Sequence, residues 1–359
     1  MMNHLISKSG LIIFTIFCSL LSTHALSDKI KVSGDLMLDH DIFDSGFLEE
    51  GNSSEKKSEI RRAGLSFKTE FMDDWQAKLK IDFSGDNIEL KDAYMKYKGL
   101  SWADIVIGKQ KEGFGLEKLS SSRNAIMIER SLVTSALAPG RSFGINLSGG
   151  ETKFNWQLGY FQPEEDSSTA ITGRFAWLPW REKDELVHIG LAFSERDLDG
   201  NEFRINEKME VHTADSFIEG NTIFANKESL QGVEFLWQKS GFTALSEWQQ
   251  ATVTDTDNVE YDYKGGYIQV SYQLSGGNRK YKNGELGKVI HSGWELTSRY
   301  SYFELVEEGH EVETYAIGVN YTVNDRLKFM VDYIKAEQFE ESIKFSADNA
   351  ISFRAQYTF

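Results

Sequence analysis

The chain has 359 residues, of which 39 are Lys or Arg and 55 are Asp or Glu, so its formal net charge is −16. This acidic balance argues against nucleic acid as a partner, because proteins that bind nucleic acid contact its phosphates with an excess of Lys and Arg. The single cysteine, Cys18, allows no disulfide framework within the chain.

Residues 1–25 have the order of a cleaved secretory signal peptide. Lys8 precedes an apolar run from Leu11 to Leu21, and Ala25 closes a stretch of small residues. The run is too short to span a membrane as a helix. We therefore expect an exported protein with one domain, residues 26–359. It lacks Cys18 and has a net charge of −17, since the removed segment holds one Lys and no acidic residue.

No apolar run of membrane-helix length follows the signal peptide, yet the chain holds 24 Phe, 14 Tyr and 8 Trp with only 3 Pro. For an exported, aromatic-rich chain, this composition leaves the closed β-barrel as the way to span a membrane.

Alternation of apolar and polar residues predicts strands along the whole exported chain. In WQAKLKIDFS, residues 75–84, the apolar side chains fall on one face, and the other face includes Lys78, Lys80 and Asp82. The same pattern predicts sixteen strands, at residues 30–41, 60–71, 75–84, 88–98, 103–110, 142–148, 153–161, 170–178, 186–195, 230–238, 242–252, 265–274, 293–303, 312–323, 327–336 and 351–359.

The connections between these strands differ in length according to the end at which they lie. Tight turns are predicted at 72–74, 239–241 and 324–326, and long polar loops at 42–59, 111–141, 196–229 and 337–349. Alternate counting places the turns at one end and the loops at the other. We expect a 16-stranded antiparallel transmembrane β-barrel with short periplasmic turns and long outer loops. A secreted soluble β-sandwich is the alternative, because its strands also alternate.

The segment KEGFGLEKLSSSRNAIMIERSL, residues 111–132, follows the fifth strand and combines Lys, Arg and Glu with Gly and Ser. A loop at this position can cover the mouth of a wide barrel or fold inward and narrow the lumen, where its charges select ions. We expect loop 111–141 to fold into the lumen as the constriction, with an ordinary outer loop as the alternative.

Several blocks of the sequence resemble the phosphate-selective porin O and P family in their order along the chain. They are IRRAGLSFKTEFMDDWQAKLKIDF, LKDAYMKY, GKQKEGFGLEKLSSS, IMIERSL, APGRSFG, LQGVEFLWQKSGFTALSEW and GWELTSRYSYFEL. The resemblance implies a sixteen-stranded outer-membrane barrel, usually trimeric, that passes anions and has a third loop in the lumen. By motif position it implies roles for Arg61, Arg62, Lys109, Lys111, Glu129, Arg130, Ser131 and Arg141.

The sequence also departs from the family pattern. Gly113 stands where the third-loop block usually has Pro, and Gly64 where a further Arg is common. The predicted lumen face is mixed in charge. Its basic residues are Lys68, Lys78, Lys80, Lys96, Arg174, Arg299 and Arg354, and its acidic ones Glu70, Asp82, Glu234, Glu247, Glu295 and Asp332.

These observations predict an outer-membrane porin for passive diffusion of small hydrophilic solutes, with anions such as phosphate or polyphosphate favoured. The expected constriction and anion path contain Arg62, Lys109, Lys111, Arg123, Glu129, Arg130 and Arg141. Further lumen-facing residues are Lys78, Lys80, Asp82, Glu295 and Arg299, among which Glu295 and Arg299 could pair. Glu129 could instead fix the loop, with Arg130 tied to a carboxylate of the wall.

Three alternatives stay open. The mixed lumen is compatible with a general or cation-preferring porin, and a soluble sandwich could be a binding protein. An outer-membrane hydrolase would need a Ser, a His and an acid together, but no spacing pairs a His with a Ser and no His-Glu-x-x-His motif occurs.

We expect no enzyme activity, cofactor or metal. The expected partners are outer-membrane lipid, lipopolysaccharide, small anions and two further copies of the chain in a Gram-negative outer membrane.

Overall fold

A computed structural model describes residues 30–44, 47, 54–85, 87–163 and 168–359. The predicted signal peptide lies outside these residues. In chain order the strands are β1 (Lys31–Asp44), β2 (Ser54–Phe71), β3 (Trp75–Asp82), β4 (Glu89–Tyr97), β5 (Asp104–Lys111), β6 (Arg141–Gly150), β7 (Phe154–Gln162), β8 (Thr169–Arg181), β9 (Glu185–Phe203), β10 (Asn206–Glu207), β11 (Ile218–Glu219), β12 (Ile223–Lys239), β13 (Phe242–Asp255), β14 (Glu260–Gln273), β15 (Tyr281–Lys282), β16 (Glu285–Leu286), β17 (Gly293–Leu305), β18 (His310–Thr322), β19 (Leu327–Glu340) and β20 (Ile343–Thr358).

Sixteen of these strands form one closed antiparallel barrel, which confirms the predicted fold class and strand number. Strands β10 and β11 pair only with each other, and so do β15 and β16. Closure is made by β1 and β20, where Asp35 lies opposite Thr358 and Phe43 opposite Ala350. The described residues also form a short α1 (Leu116–Leu119), a 3₁₀ turn (Ser122–Asn124) and α2 (Leu132–Ala136). No helix in the described ranges is long and apolar enough to cross a membrane.

The predicted bounds of three long loops are wrong because the strands extend beyond the alternating region. The predicted loop 42–59 contains the end of β1 and the start of β2. The predicted loop 196–229 contains the ends of β9 and β12, and 337–349 is reduced to a two-residue connection between β19 and β20. Both faces of these extensions carry polar residues, as in SERDLDGNEF of β9. Alternation disappears where both faces of a strand are polar, so the sequence pattern ends before the strand does.

The predicted rule of short turns at one end also has an exception. The connection between β14 and β17, residues 274–292, lies at the end that carries the tight turns, yet it contains the β15–β16 hairpin. Its residues contact the 112–140 segment, since the Leu286 N–H donates to Ser120 Oγ at 3.0 Å.

The exposed face of the barrel is a continuous apolar belt. Large side chains that are more than a third exposed occur on strands all around it, among them Leu158, Tyr160, Phe175, Leu191, Phe193, Val233, Phe235, Ile268, Leu296, Ile317, Phe329, Val331 and Phe353. A β-sandwich would bury such a face against a second sheet, whereas a closed barrel presents it to lipid. The closed topology with this belt therefore excludes the soluble sandwich.

The buried face is divided into an apolar and a polar sector. The apolar cluster includes side chains from the 112–140 segment, such as Phe114 and Leu132, and from residues 204–222, such as Met209. They pack with residues of β1 and of barrel strands β8 to β20, whereas β2 to β7 contribute none to the cluster. Polar and charged residues are thus left facing one another on the β2–β7 side.

The apolar belt gives a direct test of the membrane-facing surface. Leu191 lies on β9 and is 57% exposed. Leu191→Arg should lower the free energy of unfolding in lipid vesicles by about 2–4 kcal/mol, the cost of Arg near a bilayer midplane. Urea titration of the folded protein measures this change. Met72, 80% exposed in a tight turn, is the control; an equal loss for Met72→Arg would contradict the assignment.

Candidate functional site

The connection between β5 and β6, residues 112–140, is held by carboxylates of the buried barrel face. Glu247 accepts hydrogen bonds from the N–H groups of Leu116 at 3.0 Å and Glu117 at 2.7 Å, at the start of α1. Asp332 accepts one from the Ile128 N–H at 2.6 Å. Glu247 thereby satisfies backbone donors that the short α1 leaves without an intrahelical partner, and Asp332 satisfies one in the irregular backbone between the helices.

A third carboxylate that binds the 112–140 segment belongs to residues 204–222. Glu210 accepts a hydrogen bond from the Leu132 N–H at 2.9 Å, at the start of α2. Its carboxylate also binds the guanidinium of Arg299 and the hydroxyl of Ser301 on β17. One buried acid therefore joins two connections and the barrel wall.

Two consecutive arginines reach the buried face through a β-bulge. Met37 of β1 lies opposite Arg62 and Leu38 opposite Ile60, so that Arg61 is the extra residue on β2. Regular alternation would turn one of the two arginines to the exposed face. The bulge instead lets Arg61 contact Glu129 and Arg62 approach Asp82, whose Oδ2 lies 3.6 Å from Arg62 Nη1.

Glu129 is the anchor of the segment rather than a free charge. Arg61 donates to its two carboxylate oxygens at 2.8 and 3.0 Å, and Arg354 Nη2 donates to Oε1 at 2.7 Å. Arg354 is itself buried and bound to both oxygens of Asp39. Burial alone would raise the pKa of Glu129, but Arg61 and Arg354 hold it well below the usual range of a carboxyl. Glu129 therefore stays ionised and joins β2 to β20.

A cavity of about 760 Å³ lies between the β2–β8 wall, the 112–140 segment and the β15–β16 hairpin. Its lining is strongly basic. The basic side chains are Arg62, Lys78, Lys80, Lys96, Lys111, Arg123, Arg130, Arg141, Arg181 and Lys282, and the acidic ones are Asp92, Asp104, Glu151 and Glu285. Ten cations against four carboxylates give the cavity a positive field although the whole chain is acidic.

Part of this positive charge is neutralised by ion pairs along the wall. Asp92 Oδ2 lies 2.8 Å from Lys78 Nζ, and its Oδ1 lies 2.7 Å from Arg141 Nε. Lys96 Nζ lies 2.6 Å from Asp104. The single carboxylate of Asp92 thus pairs with two cations. A net positive charge therefore remains in the cavity.

Lys111 and Arg130 are bound by neutral backbone carbonyls. Lys111 Nζ donates to the carbonyl oxygens of Lys118, Leu119 and Ser120 at 2.6, 2.8 and 3.2 Å. Arg130 donates to the carbonyls of Glu117 and Ser120, both at 3.4 Å. Carbonyl oxygens orient a cation without cancelling its charge, so these two groups contribute strongly to the field in the cavity.

Most of the predicted site residues meet in this cavity. Arg62, Lys111, Arg123, Arg130 and Arg141 line it, together with Lys78 and Lys80. Asp82 is buried and holds the N–H groups of Ala63 and Ser84. Arg130 donates to backbone carbonyls, and in the part of the chain that the structure describes it forms no ion pair with a wall carboxylate.

Lys109 does not belong to the cavity. It pairs with Ala93 of β4 and with Phe143 of β6, and Phe143 is exposed on the outer face. Directly opposed residues of antiparallel strands point to the same side of the sheet. The expectation that Lys109 lies on the anion path is therefore wrong, because it came from the position of Lys109 in a family motif and not from the face of the strand.

Glu295 and Arg299 also differ from the prediction, because they do not pair with each other. Glu295 binds the guanidinium of Arg279 at 2.6 and 2.7 Å, and Arg299 binds Glu210. Each residue of the wall thus holds a different connection. Strand alternation predicts no distance between a wall side chain and a loop that lies far away along the chain.

The β15–β16 hairpin is a site element that the strand analysis missed. Tyr281 OH lies 2.6 Å from His188 Nδ1, and Arg174 Nη2 donates to the Gly284 carbonyl at 2.9 Å. Asn283 and Gly284 have φ of 52° and 78°, as a two-residue hairpin turn of type I′ requires. The Asn-Gly pair in YKNGEL was the available sequence signal.

A closed sixteen-stranded barrel with an apolar belt and a charged interior cavity defines the class of outer-membrane porins. The family model of the phosphate-selective porins O and P matches residues 30–359, so the chain belongs to that family. It is 24% identical to Porin O of Pseudomonas aeruginosa over 408 residues, covering 93% of this chain and 90% of that protein.

Solved structures share the fold at low sequence identity. The anion-selective porin from Comamonas acidovorans is 9% identical with a TM-score of 0.60, over 92% of this chain and 99% of that one. The trimer form of OmpT from Vibrio cholerae is 15% identical with a TM-score of 0.59, over the same shares. The protein is thus an outer-membrane channel of a Gram-negative bacterium and not an enzyme, which rules out the hydrolase alternative.

The role of Glu129 can be tested by removing its charge. Glu129→Gln leaves Arg61 and part of Arg354 without a counter-charge, and breaking such a buried pair should cost about 3 kcal/mol of unfolding free energy. Urea titration in detergent measures the loss. Glu182→Gln, on an exposed turn, should change stability by less than about 0.5 kcal/mol. Equal stability of both variants would show that Glu129 does not anchor the segment.

Proposed function

We propose that the protein is an anion-selective porin through which phosphate and polyphosphate diffuse, and that residues 111–141 form its constriction within the lumen. The observation that carries the proposal is the excess of cations in the 760 Å³ cavity beside this segment. A field confined by low-dielectric walls depends on the charges that line it and is little affected by acids on distant loops.

The contacts of the acidic residues that were predicted to face the lumen support selectivity for anions over cations. Glu234, Glu247, Glu295 and Asp332 are buried and engaged in holding Arg174, α1, Arg279 and Ile128, in that order. None of the four lines the basic cavity. The cations of the β2–β8 side therefore outnumber the acids where solute has room, which disfavours a general or cation-preferring porin.

The chemistry of the cavity is suited to phosphate in particular. Arginine offers paired donors to phosphate oxygens and lysine offers a compact positive charge, and both types line the same wall. A ladder of such groups lets an oxyanion exchange one set of donors for the next without full rehydration. Polyphosphate, with charge along its length, would meet several of them at once.

Assembly is a further part of the proposal. OmpT of Vibrio cholerae is described in a trimer form, and it shares the barrel fold with this chain. We infer a homotrimer whose remaining apolar belt is covered by outer-membrane lipid and lipopolysaccharide.

Reversal potentials in a planar bilayer under a KCl gradient test the function. The wild-type protein should pass chloride in preference to potassium, and added phosphate should block the chloride current. Lys111→Gln should lower the anion-to-cation permeability ratio about twofold or more, because one of the unneutralised charges is lost.

The control for this experiment is Lys109→Gln, two residues away on the exposed face. It removes the same charge and should leave the permeability ratio unchanged. Cation preference of the wild-type channel would refute the proposed function, and equal effects of the two variants would remove Lys111 from the path.

A further inference from the structure

The carboxylate of Glu285 stands out among the charges of the basic cavity. It belongs to β16, in the hairpin that enters from the end of the tight turns, and it lines the cavity. Two other acids of the lining, Asp92 and Asp104, form ion pairs with cavity lysines. Within the described residues no hydrogen bond or ion pair is formed by the Glu285 side chain, so its charge is left facing the cavity.

Lys111 and the hairpin meet at Ser120: Lys111 Nζ donates to the Ser120 carbonyl at 3.2 Å, and the N–H of Leu286, next to Glu285, donates to Ser120 Oγ at 3.0 Å. The cations that act on the Glu285 carboxylate are Lys111, Arg174, Lys78 and Lys96. The last three already contact a carboxylate, on Glu234, Asp92 and Asp104. Lys111 contacts only carbonyl oxygens. Glu285 is therefore the acid that opposes the one cation of this group that has no carboxylate of its own. Partial loss of hydration within the cavity raises the pKa of the Glu285 carboxyl and Lys111 opposes the rise, while the residue itself remains exposed.

The hairpin backbone on both sides of Glu285 is held in place. The carbonyl of Gly284, the residue before it, accepts a hydrogen bond from Arg174 at 2.9 Å. The N–H of Leu286, the residue after it, donates to Ser120 Oγ at 3.0 Å. Both neighbours of Glu285 are thus fixed by the barrel wall and by the 112–140 segment. The backbone therefore keeps Glu285 in the cavity lining.

We propose that Glu285 is a specificity-determining residue that acts as a tethered counter-anion of Lys111 and limits how tightly solute anions bind in the cavity. A channel must bind its solute strongly enough to admit it and weakly enough to release it. A carboxylate near Lys111 weakens the electrostatic attraction of the cavity for an anion. A bound anion therefore dissociates more readily. The proposal rests on the proposed anion-channel function and deepens it.

Glu285→Gln tests this role, because glutamine keeps the shape of the side chain and no side-chain contact is lost. In a planar bilayer, the concentration of inorganic phosphate that halves the chloride current should fall about fivefold or more, as expected for one unit charge at close range. The anion-to-cation permeability ratio should rise. Glu285→Asp retains the charge and should behave like the wild-type protein, which separates charge from side-chain packing.

Glu151→Gln is the matched control, since Glu151 also lines the cavity but lies in the turn between β6 and β7. It should change phosphate block by less than twofold, because the acids that act most strongly on Lys111 are Glu285 and Asp92. Unchanged or weaker phosphate block in Glu285→Gln would overturn the counter-anion role. A wild-type channel without anion preference would refute the proposed function itself, whatever the variant does.

Discussion

Closure of the sheet by the β1–β20 ladder is the constraint on which the rest of the structure depends. In lipid no water can satisfy backbone N–H and C=O groups, so a spanning sheet must pair its first strand with its last. Closure at sixteen strands then creates a bore too wide for wall side chains to fill. The remaining space must be filled by connections, and the 112–140, 204–222 and 274–292 segments contact the buried face for this reason.

The connections fill the interior unevenly, and charge follows the same division. Apolar side chains such as Phe114 and Met209 pack towards β8–β20, where wall acids including Glu247 and Asp332 are used to bind backbone donors. Acids used in this way cannot attract solute cations. The β2–β8 side keeps its lysines and arginines around open space, so a chain with a net charge of −16 contains a positive cavity.

The sequence was sufficient for the barrel, through strand alternation, and for much of the cavity, through alternation together with the family motifs. Period-2 patterns give the number of strands and the face of residues such as Lys78 and Lys80 in the middle of a strand. They fail where strands run into polar extensions, as in β9. The expectation for Lys109 failed for another reason, since it came from a family motif and not from the strand pattern. Partners of Glu295 and Arg299 depend on loop packing, which involves residues far apart in the chain. The hairpin at 274–292 had a local Asn-Gly signal that strand counting did not use.

The central claim is that solute passes along the β2–β8 side and not along the packed β8–β20 side. Its most direct test uses single cysteines, because Cys18 lies in the predicted signal peptide and the rest of the chain has none. Ser148 lines the cavity on β6, and Thr314 is fully buried on β18. A negatively charged methanethiosulfonate reagent should reduce the current of Ser148→Cys and leave Thr314→Cys unaffected. Block of Thr314→Cys with an unresponsive Ser148→Cys would contradict the account.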